Sequence, residues 1–268
     1  PPPPPPPTTT NTESSAASDV YKRQASPLSQ ASDIEKEKRW ADQIIDALFD
    51  GEPVTLNADE QDFLAIYTGA ADGGTANAAI VMHGIGVHPD WDQVVKPLRA
   101  GLAERDWSTL SLQMPILENG AAEEKYVPLM AEVPGRINAG LEYLKSQGAT
   151  RIVIIGHSLG AAMAASYLAG SQDPAFIGFV GIGMNASETL VELDSITSLK
   201  KITIPVFDLY GESDLAAVIN SAPQRLEVIT AQGNANSSQR QVDQADHFFN
   251  DMDTPLVGLV LSWMNDLP

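Results

Sequence analysis

The sequence predicts an α/β domain, a mostly parallel central sheet covered by helices on both faces. Three observations carry this. Short apolar runs alternate with stretches of helical periodicity from Ala78 to the end of the chain. The runs, such as "AAIVMH" and "RIVIIG", are continuous rather than alternating, as strands buried on both faces are. The roughly 240 residues left after the first two dozen suit one large layered domain.

Those first residues are set aside. "PPPPPPP" is followed by "TTTNTESSAASDVYKRQ", and "DVYKRQ" resembles translated sequencing-adaptor DNA. Residues 1–24 are therefore expected to be an artefact, disordered, and to stand where the natural N-terminus and any export signal would have been. Residues 25–77 then supply an N-terminal helix and leading strands, and residues 78–268 the core, together one domain.

Each element follows in order. "IEKEKRWADQIIDALF" reads as an amphipathic helix with Ile34, Trp40, Ile44, Ile45 and Leu48 on its apolar face. "EPVTLNADEQDFLAIYTGA" suits leading antiparallel strands. "AAIVMH" (78–83) is a buried strand, and 91–106 is a helix that Pro97 bends or breaks. "WSTLSLQMP" (107–115) is a strand, and 130–148 carries a helix ending at Gly148. "RIVIIG" (151–156) is the most buried strand, followed by the helix of "AAMAASYLA". Strands at 176–186 and 202–211 flank a short helical stretch, and a helix starts near Leu215. The last strand lies within 238–249, and "TPLVGLVLSWMNDL" closes the chain as a helix.

Composition excludes several functions. Net charge is −19, and Glu13 and Asp19 cancel Lys22 and Arg23, so all of it lies beyond residue 24. Such a surface repels nucleic acid and anionic membrane. With 0 cysteines there is no disulfide, thiolate nucleophile or cysteine zinc site. No apolar run reaches the ~18 residues of a membrane span. His83, His88, Asp90 and Asp92 follow no metal-ligand spacing. Oligomeric state is left open.

The chemistry centres on "VIIGHSLGAA" (153–162). Gly-x-Ser-x-Gly is a weak motif alone, but Ser158 lies between a buried strand and a helix, where a nucleophile elbow belongs. Gly156 and Gly160 stand where a Cβ would collide, and Ala161, Ala162, Ala164 and Ala165 let the helix approach the sheet. Of 4 histidines, His83 and His88 precede Ser158, His157 is internal to the elbow, and only His247 follows it, in the loop between the last strand and the closing helix where a base is expected. Asp214 follows the "PVFDLYG" strand, in a loop from which a carboxylate reaches the far nitrogen of that histidine. Asp208 is the alternative acid, read as structural because it lies inside the strand. Two backbone amides would hold a developing oxyanion, those of Leu159 and of Ile85 between Gly84 and Gly86.

"GHSLG", "MHGIG", "YGESD" and "DH" together resemble the α/β-hydrolase superfamily over roughly residues 75–268. "HGIGVHPDW", "TLSLQMP", "PVFDLYG" and "ADHFF" resemble an uncharacterised bacterial family of hydrolase-like proteins, whose members commonly carry an export signal. The superfamily resemblance implies an esterase, lipase, thioesterase or amidase with a small-molecule acyl substrate and no cofactor or metal, and the export signal of the narrower family would imply a periplasmic or exported protein. The stretch between Ala186 and Ile202 is too short for a large cap domain, which predicts an open site. Glu118, Glu123 and Glu124 would disfavour an anionic substrate if their loop borders that site. A silent binding protein on the same fold and an acyltransferase are the competing readings.

Overall fold

A computed structural model of the chain describes Pro1 and residues 32–268 apart from Gln172 and Glu188. The reading of residues 1–24, Pro1 aside, lies outside the described residues. Eight strands form one sheet: β1 (Glu52–Ala58), β2 (Gln61–Thr68), β3 (Asn77–Met82), β4 (Ser108–Leu112), β5 (Arg151–His157), β6 (Phe176–Ile182), β7 (Val206–Ser213) and β8 (Ser238–Asp246). Their spatial order is β1-β2-β4-β3-β5-β6-β7-β8. β1 and β2 pair antiparallel through a two-residue turn in which Asp59 and Glu60 take φ of 51° and 65°, the conformation that matches strand twist in a hairpin. β2 joins β4 antiparallel, and the remaining pairs are parallel.

Period-two alternation explains the two apolar layers. Ile152 and Ile154 of β5 pack in one buried cluster with α3 (Val133–Ser146) and α4 (Leu159–Leu168). Val153 and Ile155 pack in the other with α2 (Val95–Ala103) and α7 (Asp253–Asn265). Each fully buried Ile contributes about 1.5–3 kcal/mol through lost contact with water. α5 (Ser195–Leu199) and α6 (Ala216–Ala231) complete the helices of the second half.

Several elements differ from the expectation. α2 starts at Val95, so Pro97 sits in its first turn. There its missing N–H costs no intrahelical bond and the helix is not broken. β7 starts at Val206 rather than Ile202, immediately after Pro205, which has no N–H to give a ladder. Part of the acidic stretch after β4 is a 3₁₀ segment, Glu123–Ala131, that buries Tyr126 and Leu129. In α1 (Ile34–Ala47), Ile45 is exposed while Ile44 packs on Leu64 and Ile66. The inward face instead includes Lys36 and Glu37. Glu37 pairs with buried Arg136 of α3 at 2.9 Å, and the Lys36 ammonium donates to the Leu117 carbonyl at 2.7 Å. Charged positions satisfied this way are invisible to hydropathy.

The parallel ladder sets the site. Met82 of β3 stands beside Gly156 of β5, and His157 beside Ile182 of β6. The carboxyl ends of three neighbouring strands therefore open on one crevice, where open α/β sheets bind ligands.

Candidate active site

Ser158 terminates β5 and begins α4 at φ 53° and ψ −122°, a strained conformation for a residue with a side chain. Two contacts force the turn. Its amide donates to the Ile182 carbonyl at 2.8 Å, and α4 lies close against the sheet. A Cβ on Gly160 would lie 2.4 Å from the His83 carbonyl oxygen, and one on Gly156 would lie 2.5 Å from the Gly160 carbonyl oxygen. Neither backbone atom can move aside.

His247 directs Nε2 at Ser158 Oγ, 3.0 Å away, and Nδ1 at Asp214 Oδ1, 2.6 Å away. The Asp214 side chain has no solvent exposure. Burial by itself raises its carboxyl. The hydrogen bond and charge of His247, with the amides of Gly211 and Leu215, outweigh burial and hold the group below the usual carboxylate range. Asp208 faces elsewhere. It lies in the interior of β7, 2.8 Å from the Arg225 guanidinium of α6, and accepts from Gln239 at 2.6 Å. Burial pushes the Asp208 carboxyl up, and these two partners pull it back only in part.

Leu159 provides the first amide of α4, which has no acceptor within the helix. The loop after β3 is organised by His83. Its Nε2 accepts from the Met114 amide at 2.9 Å, which leaves the proton on Nδ1 to donate to the Gly84 carbonyl at 2.8 Å. Across a trans peptide the Ile85 N–H points away from that carbonyl. Gly84 packs on the elbow, and Gly86 takes φ +71°. Ile85, Ser158, Leu159 and His247 line one cavity of about 160 Å³. Ala162, Leu193, Leu215 and Val218 make its wall apolar, with Glu123 and Asn185 the polar additions.

Three residues in contact with this arrangement were given no part in holding the site by the sequence alone. Gly183, at φ +61°, lies against the His247 ring: a Cβ there would be 2.9 Å from His247 Cε1. His83 and His157 are buried histidines next to motif residues. Burial lowers them to about 3 and about 4, respectively, and His247 adds to the effect on His157. Both rings are therefore neutral in the folded protein at pH 7. An unfolded chain protonates them near 6.5. The stability that neutral burial confers is complete above that value and is lost as pH falls towards about 4 for His157 and about 3 for His83. Imidazole NMR signals of His83 and His157 are expected not to titrate between pH 8 and about 5. A midpoint near 6.5 in either would contradict this.

Among the described residues no group of three or more His, Asp or Glu side chains is arranged to hold a metal ion. Nor is any helix among them long and apolar enough to cross a membrane.

Solved structures share this architecture. Est1E from Butyrivibrio proteoclasticus aligns with a TM-score of 0.60 at 14% identity, over 81% of this chain and 100% of its own. An esterase, Est2, from Thermogutta terrifontis aligns with a TM-score of 0.64 at 13% identity, over 81% and 94%. The dienelactone hydrolase from Anabaena variabilis aligns with a TM-score of 0.65 at 17% identity, over 81% and 97%. These likenesses show the α/β-hydrolase fold. No curated protein matches the chain. The model of one family covers residues 2–134 and 121–266, so this α/β-hydrolase-fold chain belongs to the family described as protein of unknown function, DUF3530.

Proposed function

We propose that the chain is a serine hydrolase of esters or related acyl bonds. The single observation that carries this reading is the chain of hydrogen bonds from Asp214 through His247 to Ser158, set on the strained elbow. Ser158 Oγ attacks the acyl carbonyl while His247 Nε2 takes its proton. The Leu159 and Ile85 amides receive the developing oxyanion. The tetrahedral intermediate collapses, and His247 returns the proton to the leaving oxygen. Water, deprotonated by His247, then attacks the acyl-enzyme; as the bond to Ser158 Oγ breaks, His247 returns the proton to that oxygen, and the acid and free enzyme are released. Asp214 keeps the proton of neutral His247 on Nδ1 and stabilises the imidazolium. The esterases among the structural neighbours support the choice of an ester.

The cavity sets the substrate scale. At about 160 Å³ it is close to the roughly 150 Å³ that accommodates a benzene-sized guest. Its lining holds Glu123 and neither Lys nor Arg, which favours a neutral acyl group. The test is a panel of p-nitrophenyl esters of graded chain length on purified protein. Acetate and butyrate esters are expected to turn over at least about tenfold faster than long-chain esters. No acceleration is expected when substrate passes into micelles. A long-chain optimum with micellar activation would overturn the open-site reading. Folded protein that turns over no ester and resists a serine-directed probe would be a binding protein on this fold.

A further inference from the structure

We infer that His157 is a positioning residue that holds the backbone of the base, His247, in line with Ser158. The inference rests on the hydrolase reading above.

His157 is the last residue of β5, directly before Ser158, and is only 3% exposed. Alternation turns it to the sheet face of Val153 and Ile155, opposite α4. On that face its Nε2 lies 2.9 Å from the His247 carbonyl oxygen. A carbonyl accepts, so the ring proton is on Nε2, and Nδ1 has no hydrogen-bond partner in its buried position. The ring is hemmed in by both loops of the site. It lies 5.0 Å from the His247 ring and 6.0 Å from the Phe248 ring. A Cβ on Gly84 would come within 3.3 Å of its Nδ1.

The base needs such an anchor. Pairing of β8 with β7 ends at Ser213 and Asp246, so His247 is the first residue past the ladder. The bonds that shape the next turn are local: Asp246 Oδ1 accepts from the Phe248 amide at 3.0 Å and the Asn250 amide at 3.1 Å. Those bonds shape the loop without fixing it to the sheet. Two contacts do that: the Phe249 side chain, 1% exposed, packs in the core with Val153 and Ile155, and the hydrogen bond from His157 holds the backbone of the base itself, tying it to the residue adjoining the nucleophile. Displacement of the base by about 1 Å costs on the order of 100-fold in rate.

The test compares two amides that differ in reach. His157→Gln places an N–H near the position of Nε2, and His157→Asn places one near Nδ1, too short for the His247 carbonyl. Both variants are first shown folded by circular dichroism and thermal melting. Turnover of p-nitrophenyl acetate, fluorophosphonate labelling rate and hydrogen exchange of residues 246–250 are then read. The Asn variant is expected to lose about 10–100-fold in kcat and labelling rate with KM unchanged, and to exchange faster in that loop. The Gln variant is expected to stay within about threefold of wild type, with wild-type exchange. Equal behaviour of the two variants in rate and exchange, unchanged or equally impaired, would overturn the inference. If wild type itself neither labels nor turns over, the hydrolase reading fails. Loop exchange then decides by itself whether His157 holds the His247 backbone.

Discussion

Ser158→Ala is expected to abolish covalent labelling by a fluorophosphonate, and Asp214→Asn to lower ester turnover about 10³–10⁴-fold. The phosphorus centre requires an activated serine, and Ser158 has His247 Nε2 at 3.0 Å to receive its proton. The Asn variant keeps the shape of Asp214 but offers its partner an amide. If that amide donates to Nδ1, the ring must carry its proton on Nε2, where it cannot accept from Ser158. It also removes the negative charge that stabilises the imidazolium. His247→Ala is expected to come close to Ser158→Ala in effect. Initial rates on p-nitrophenyl acetate and gel-based probe labelling measure all three. Undiminished labelling of folded Ser158→Ala would dismiss this serine as nucleophile.

The second large effect is on stability. Asp208→Asn is expected to cost about 3–5 kcal/mol in urea unfolding, with labelling rate per folded molecule near that of wild type. Asp208 and Arg225 both have side chains with no solvent exposure, and the substitution leaves the guanidinium charge buried without its counter-charge. Replacing both partners with apolar residues of similar volume is expected to recover much of the loss, because no charge then remains to be desolvated. An Asp208→Asn protein that unfolds like wild type yet neither labels nor turns over would transfer the acid role from Asp214 to Asp208.

These two aspartates mark where reading the chain stops. Both belong to "PVFDLYGESD", and loop position alone favours Asp214. In the structure one faces Arg225 on α6 and the other faces His247 beyond β8. The elbow was more legible, because a strand, a Gly-x-Ser-x-Gly turn and a small-residue helix are contiguous. Chain order singled out His247 for a different reason: of 4 histidines it alone follows Ser158. Gly183, His83 and His157 were not legible in these roles. Gly183 matters because the His247 ring packs 2.9 Å from where its Cβ would be, a contact across 64 residues of chain that no local pattern encodes.

By itself the sequence determined the alternation of buried strands and helices, the acidic character, the absence of thiol chemistry and the strand–turn–helix setting of Ser158. Each depends on local spacing or on composition, which the linear chain contains in full. Tertiary structure decided which aspartate meets the histidine and why α1 buries Lys36 and Glu37. It also decided which backbone carbonyls His83 and His157 hold. A buried polar group is stable only if a partner reaches it, and here the partners come from distant segments: Arg136 for Glu37, Leu117 for Lys36 and His247 for His157. Hydrogen-bond partners of that kind come into existence only when the sheet brings its strand ends together.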